Sequence, residues 1–441
     1  MDTEHTSESA QVGEPIHPHH FPLRLIVAGI VGNVMEWYDF AVYGYFAATI
    51  GQQFFPSDDP TTSLIAAFGA FAAGFLMRPL GGVVFGHIGD RFGRKVALTL
   101  SVLAMAIPTF LIGVLPGHAT LGAAAAVLLV LLRMIQGLSV GGEYTTSIVF
   151  LVEGSGRKHH GFAASWSGFG AVGGILLGSA VGAVVTASLP EEAIQNWAWR
   201  LPFLIGLLVG LTGLYVREHI PEPPQPDQEK SGRFPILHAI RTEWRTILRI
   251  ALLNTVNGIG FYMAFVFLVT YMTKVGGLSE AVALEVNTLN MAVLLAMFPL
   301  AGWLSDRIGR VPLLLAGIGG MLLFCWPLFW ALHHESATWN FFGQLGFAIC
   351  IGLFGGVIPV VMVEMTPASI RCSAISVGYN LCVGVLGGTT PMVATWLMQE
   401  THNVLAPAWY LMGAALVSLT VVVVPLLLGR KRAAVAYEYA E

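Results

Sequence analysis

The chain has 441 residues, of which 55% are hydrophobic and only 11% charged, against about 25% charged in an ordinary soluble domain. So few charges cannot coat a soluble globule of this size, and so many apolar residues exclude a disordered chain. A membrane helix needs about 20 apolar residues, so the length fits a polytopic membrane protein with short loops, whose net charge of −4 matters less than where its charges fall.

The chain opens with a polar, acidic stretch, residues 1–22, without the basic-then-apolar order of a cleavable signal peptide. It reads as a disordered cytoplasmic tail, and His17, His19 and His20 as solvated residues of that tail. Twelve apolar runs follow, near 24–50, 63–86, 96–115, 120–152, 160–188, 199–217, 247–272, 281–304, 311–332, 340–363, 374–398 and 408–429. None alternates as a barrel strand would, so all are expected to be helices, which satisfy their own backbone hydrogen bonds in lipid. The four cysteines, Cys325, Cys350, Cys372 and Cys382, lie in or beside apolar runs without C-x-x-C spacing. Neither a disulfide nor a metal site is expected.

Orientation follows from lysine and arginine. The segments before run 1, after every even run and after run 12 hold 18 of the 22 basic residues, and the opposite loops hold one, Lys274. Both termini are therefore expected in the cytoplasm. The remaining three, Arg78, Arg133 and Arg200, lie within runs.

Run 1 carries Asn33, Glu36 and Asp39 at i, i+3 and i+6, a polar stripe on one helix face. Carboxylates at mid-bilayer are costly and mark proton or substrate paths, so Glu36, Asp39 or both are expected to couple protons; pairing with Arg78 or Arg133 is the alternative. Run 4 holds Arg133, Gln136 and Glu143. A carboxylate near an arginine stays ionised, and protonating it releases the arginine, so Arg133 and Glu143 join the candidate coupling set. Run 5 carries Gly170, Gly174, Gly178 and Gly182, a stripe that lets a neighbouring helix approach closely. Asn254 and Asn257, Asn287 and Asn290, and Tyr379 and Asn380 are the polar pairs of the later runs. Each faces a cavity or bridges helices.

The chain repeats itself. Gly86–Lys95 (GHIGDRFGRK) and Gly302–Arg310 (GWLSDRIGR) both read G-x-x-x-D-R-x-G-R, 216 residues apart. Between them, near 217–246, lies a charged stretch rich in proline, with Pro221, Pro223, Pro224 and Pro226. The expected organisation is an N-terminal six-helix bundle (23–217), a cytoplasmic linker (218–246), a C-terminal six-helix bundle (247–429) and a short tail (430–441). Two halves in the same orientation place a site between them. In each motif copy a glycine suits a sharp or closely packed position, and Asp90 can pair with an arginine and face a helix N-terminus. Asp90, Arg91 and Arg94 with Asp306, Arg307 and Arg310 are the candidate gate.

The doubled motif resembles the major facilitator superfamily. So do Arg133–Gly137 (R-x-x-Q-G) and Glu364–Arg371 (E-x-x-P-x-x-x-R), which add Glu364 and Arg371 to the gate. Gly32–Ala47, Gly74–Lys95, Gly137–Tyr144 and Trp199–Gly206 resemble its metabolite:proton symporter subfamily. Ser165–Gly170 (SWSGFG) and the stretch from TTPMVATWL to PAWYLM lean toward that subfamily's proline and betaine carriers. The resemblance implies an all-α fold of twelve spans in two parallel six-helix halves. It also implies a multi-pass protein of the bacterial inner membrane that moves a solute with protons. Run 5 lacks the Gly-Pro pattern of superfamily antiporters, which favours symport or uniport.

The expected partners are a small organic solute, protons as coupling ion and the lipid bilayer, with no cofactor, no metal and no nucleic acid, for a monomer. Near-balance of intramembrane charge favours a zwitterion such as proline or betaine, its ammonium attracted by aromatic faces. Trp37, Tyr43, Arg78, Arg133, Trp166, Asn257, Tyr262 and Tyr379 are the candidate substrate contacts, with Tyr38, Phe169 and Phe261 as further aromatic neighbours. A mono-, di- or tricarboxylate is the alternative, with Arg78 and Arg133 clamping a dicarboxylate. A channel would not need two matching locks. The absence of a G-x-x-x-x-G-K-[ST] loop and of hydrolase motifs argues against an ATP-driven pump and an intramembrane enzyme. Alkaline phosphatase fused after Asp59 should be active and after Arg94 inactive; the reverse pattern would overturn the orientation.

Overall fold

The computed structural model describes residues 23–219 and 235–428. The two expected tails and much of the expected linker lie outside the described residues. Among the described residues the chain is helix and turn, without strands. Twelve helices are long and apolar enough to cross a membrane. They are α1 (Leu23–Tyr45), α2 (Thr62–Arg91), α3 (Arg94–Val114), α4 (Ala123–Glu153), α5 (Arg157–Ser188), α6 (Ala198–Glu218), α7 (Trp244–Lys274), α8 (Glu280–Ile308), α9 (Arg310–Leu332), α10 (Ala337–Glu364), α11 (Ala368–Thr401) and α12 (Ala406–Leu427).

Each apolar run falls on one span. The first run is longer than its span: the chain turns at Phe46 and forms a separate short helix, Ala47–Phe54. The expected linker also holds more structure than its charge implied. Pro235–Thr242 is helical, and Ala239 tucks beside Ile247 of α7 and Ile370 and Ala374 of α11. The apolar side of this short helix, not its charged residues, decides its place.

Glycines set how closely the helices approach. The expected stripe on α5 lies against α1: a β-carbon at Gly170 would meet the Ile30 carbonyl oxygen at 3.0 Å, and one at Gly178 the Tyr38 carbonyl oxygen at 2.7 Å. Gly174 meets the Val34 carbonyl in the same way. The two halves meet across small residues too. Gly82 and Gly86 of α2 face Asn380 and Ser373 of α11, and Gly302 of α8 faces Gly161 and Ser165 of α5. In lipid, van der Waals contact of this kind holds helices together, because no hydrophobic effect separates them from acyl chains. Two spans are interrupted by a π turn, Met263–Phe267 in α7 and Val383–Gly387 in α11.

Alanine at Gly178 should lower thermal stability in detergent, since overpacking costs about 1–3 kcal/mol. Alanine at Gly173, one face round, where the nearest atom lies at 3.7 Å, should be neutral or stabilising. Equal melting temperatures for the two variants would contradict the packing account.

Candidate functional site

Three polar layers lie along the bundle. The first is at the end that carries the doubled motif. Gly93 and Gly309 have φ of 105° and 92° and directly precede α3 and α9. Side chains rarely adopt that backbone, so the motif's last glycine makes the turn that brings its Asp and final Arg together. Asp90 accepts hydrogen bonds from the backbone N–H groups of Cys372 (3.0 Å) and Ser373 (2.8 Å), at the start of the α-helical part of α11. Asp306 does the reciprocal thing, accepting from Gly161 and Phe162 of α5 at 2.8 Å each. Each half thus places a carboxylate on a helix N-terminus of the other, where N–H donors and the helix dipole favour negative charge.

Arginines complete this lock. Arg94 pairs with Asp90 (3.4 Å) and with Glu153 (2.9 Å), and Arg371 across the interface pairs with Glu153 (2.8 Å). Arg310 pairs with Asp306 (2.7 Å) and Glu364 (2.9 Å). Six of the eight candidate gate residues are thereby brought together. Arg91 and Arg307 are exposed instead and lie over the rings of Phe92 and Trp303. Glu153 escaped the sequence reading. It closes run 4 just before Gly154-Ser155-Gly156 and the basic pair Arg157-Lys158, and that lone carboxylate at a basic end was its signal.

The second layer is inside the N-terminal half. Asp39 forms an ion pair with Arg133 at 2.6 Å and accepts from Thr109 (2.8 Å) and Gln136 (2.9 Å). The Arg133 guanidinium also donates to Gln136 (2.7 Å) and lies 4.2 Å from the Tyr43 ring centre. Tyr43 itself donates to the Ala67 carbonyl. Arg133 therefore does not reach Glu143, as its place on run 4 suggested. Glu143 pairs with Arg217 of α6 and accepts from Ser101 of α3, all of them buried. Ten residues along α4, about 15 Å at 1.5 Å per residue, carry Glu143 out of reach of Arg133 and toward a different neighbour. Arg217 was counted as a loop cation because it sits at the edge of run 6, yet it is 2% exposed.

The third layer is the centre. Glu36 and Arg78 are 1% and 0% exposed. Among the described residues, neither Glu36 oxygen and no Arg78 guanidinium nitrogen has a hydrogen-bond partner. The two are near enough for each to act on the other's charge. Beside them lies a central cavity between the halves, walled by Trp37 of α1, Tyr144 of α4, Asn257, Phe261 and Tyr262 of α7, Phe298 of α8 and Tyr379 of α11. Tyr262 and Tyr379 line the cavity and lie within electrostatic range of both Arg78 and Glu36, so they form the shared wall. Tyr144 and Tyr379 stack at 4.9 Å, and Trp37 meets Phe261 edge-on at 6.0 Å. The π turns of α7 and α11 begin directly beside Tyr262 and at Val383, another cavity residue; such turns are frequent at functional sites.

Of the candidate substrate contacts, Trp37, Asn257, Tyr262 and Tyr379 line the cavity and Arg78 adjoins it. Tyr43 and Arg133 are held in the second layer. Trp166 is also displaced: it packs on Phe162, Phe169 and the cluster of Leu25, Ala28, Leu98 and Phe150. Its position two residues before cavity-lining Gly168 turns it to another face of α5. Asn287 and Asn290 bridge α8 to Gln344 of α10, and Asn380 donates across the halves to the Gly141 carbonyl at 2.6 Å. Tyr144 and Phe298 were not singled out from sequence, because an aromatic residue in an apolar run looks like packing.

The family model for the Major Facilitator Superfamily matches residues 29–388 and 250–438. The chain belongs to the major facilitator superfamily. The glycine betaine/proline/ectoine/pipecolic acid transporter OusA of Dickeya dadantii is 36% identical over 409 residues, covering 90% of this chain and 81% of the relative. The proline/betaine transporter of Escherichia coli is also 36% identical, covering 90% and 82%. The structure of the proton:xylose symporter XylE bound to 6-bromo-6-deoxy-D-glucose matches the fold with a TM-score of 0.74 at 20% identity, over 90% of this chain and 94% of that one. As a superfamily member with these relatives, the chain is a multi-pass solute transporter and not an enzyme.

In this transporter the Asp90→Asn substitution weakens a charge-assisted cap, worth about 1.5–3 kcal/mol. Labelling, from the motif-bearing side, of a cysteine introduced at Thr145 should rise by about tenfold or more, since about 1.4 kcal/mol is tenfold. Unchanged labelling in a stably folded variant would count against the lock.

Proposed function

We propose that the chain is a proton-coupled symporter that imports a small zwitterion of the proline or betaine kind by alternating access. Its place is a bacterial inner membrane, with the motif-bearing end and both termini in the cytoplasm. The observation that carries this reading is the buried, hydrogen-bond-free pair Glu36 and Arg78 beside an aromatic cavity.

The chemistry follows from what each group leaves unsatisfied. Arg78 offers a fork of N–H donors to one carboxylate, the strongest neutraliser for that group in low dielectric. The rings of Trp37, Phe261, Tyr262, Tyr144 and Tyr379 attract an ammonium, each face by roughly 0.5–2 kcal/mol. Before substrate enters, Arg78 compensates Glu36. A substrate carboxylate that engages Arg78 removes that compensation, and a proton on Glu36 restores neutrality, so solute and proton enter together. Glu36 gains and loses its proton without breaking an existing ion pair. Asp39 would have to give up Arg133, Gln136 and Thr109, so Glu36 is assigned the proton and Asp39 the task of holding Arg133.

The dicarboxylate form of the alternative needed Arg78 and Arg133 as a clamp. Arg133 is engaged by Asp39, Gln136 and the Tyr43 ring, which leaves one arginine for one carboxylate and counts against di- and tricarboxylates; the aromatic wall favours the zwitterion over a monocarboxylate. The names of the relatives point the same way.

In proteoliposomes with an inward proton gradient, glycine betaine and proline should compete for uptake at or below millimolar levels, and di- and tricarboxylates should not. Glu36→Gln should lose uphill accumulation while keeping counterflow, and Arg78→Lys should raise KM by about tenfold or more through loss of the bidentate contact. Competition by dicarboxylates at micromolar levels, with betaine and proline inert, would overturn the reading.

A further inference from the structure

Glu143 and Arg217 form a second buried ion pair, nearer the motif-bearing end than Glu36, and the proposed role of Glu36 gives it no task. The pair is not ordinary packing. Both side chains are 2% exposed, and Ser101 of α3 donates to the Glu143 carboxylate. Arg217 also donates to the backbone carbonyls of Ala28 in α1 (3.1 Å) and Leu98 in α3. Three helices of the N-terminal half are thus tied to one guanidinium at the last turn of α6. A pair of apolar residues would hold those helices as well at less desolvation cost.

The pair lies directly under the helix that carries Glu36. A β-carbon at Gly32 would meet the Glu143 carboxylate and the Arg217 guanidinium, so α1 rests directly on the pair. Gly32 and Glu36 are four residues apart, just over one helical turn and about 6 Å along the axis. Asn33, between them in sequence, donates to Ser147 at 2.8 Å, one turn beyond Glu143 on α4, and its own carbonyl oxygen is buried without a partner. The charged groups around Glu143 are Glu36 from α1, which feels its charge, and Arg217 from α6; α3 contributes only the Ser101 hydroxyl.

We infer that Glu143, held by Arg217, is the second station of the proton path, receiving the proton from Glu36 and passing it toward the motif-bearing end. This rests on the symport proposed above. The proton leaves the Glu36 carboxyl, which becomes a carboxylate facing Arg78, and binds a Glu143 carboxylate oxygen. Protonation of Glu143 removes the carboxylate partner of Arg217, which stays charged on its two backbone carbonyl acceptors; Arg133, held by the Asp39 carboxylate and the Gln136 side chain, has no such carbonyls to fall back on among the described residues. Glu143 then returns the proton to water when that end opens. Arg217 is a positioning residue here, since it fixes the Glu143 carboxylate in place.

The test uses the full chain in proteoliposomes with glycine betaine as probe. It compares the wild type, Glu143→Gln, and the doubly neutral Glu143→Gln/Arg217→Gln, which leaves no buried charge uncompensated if the single variant fails to fold. Three readouts are taken: counterflow, uphill accumulation driven by a pH gradient, and proton entry accompanying betaine. A relay predicts that the doubly neutral variant keeps counterflow but accumulates betaine only to equilibration, with proton entry lost. Wild-type accumulation and proton entry in that variant would overturn the relay while leaving symport intact. Loss of counterflow together with accumulation in a folded doubly neutral variant would also overturn it, by showing a structural tie only. If the wild type itself moves betaine without protons, the symport reading fails, and the relay fails with it.

Discussion

A charge inside the bilayer must find an opposite charge, a helix terminus or a change of protonation, because burying it alone costs far more than any single contact returns. The architecture of this chain is arranged around that constraint. Asp39 is matched by Arg133 and Glu143 by Arg217, each with further donors around the carboxylate. Asp90 and Asp306 use helix N-termini as well as arginines. Glu36 and Arg78 are the exception. They neighbour each other without a hydrogen bond, and that incompleteness, set against so much paired charge, is the ground for the site proposed there.

The reciprocal lock explains why the motif occurs twice. Asp90 belongs to the first half and caps a helix of the second; Asp306 belongs to the second and caps a helix of the first. Glu153 is shared by Arg94 of its own half and Arg371 of the other. Several charge-assisted contacts thus join the two halves at the same end, and separating the halves there would break them together. Small residues at Gly82, Gly86, Gly161 and Gly302 bring the backbones close enough for these short caps. Glycine packing and the lock are one device: bulk at the interface would hold each carboxylate away from its N–H donors.

The cavity owes its character to the opposite choice. Its wall is largely aromatic, and its few polar side-chain groups are phenols, the Trp37 indole N–H and the Asn257 amide. The π turns beside Tyr262 and at Val383 shift the register of α7 and α11 where those helices line the cavity. An irregular backbone is tolerated at membrane depth only where protein or a cavity surrounds it. The Asp39–Arg133–Gln136 network and the amide bridges of Asn287, Asn290 and Gln344 tie the helices of the two bundles together around that cavity.

The sequence by itself determined the class, the span count, the two-half organisation, four of the six candidate lock residues on the doubled motif and the helix-packing stripe of α5. Each is a local or periodic property: hydropathy over about 20 residues, basic residues at alternate ends, glycine every fourth position, one motif repeated. It also offered eight substrate contacts, of which Trp37, Asn257, Tyr262 and Tyr379 line the cavity and Arg78 adjoins it, while Tyr43, Arg133 and Trp166 lie elsewhere. Only the tertiary structure decided who pairs with whom. Arg133, Gln136 and Glu143 share one helix, yet Arg133 turns to Asp39 of α1 and Glu143 to Arg217 of α6. Periodicity gives a residue its face but not the helix that will face it. For the same reason Glu36 and Asp39, three residues apart, end with unlike fates, and Trp166 and Gly168, two apart, point away from and into the cavity. Arg217 looked like a loop cation because a run's edge does not reveal depth; the neighbours α1, α3 and α4 bury it.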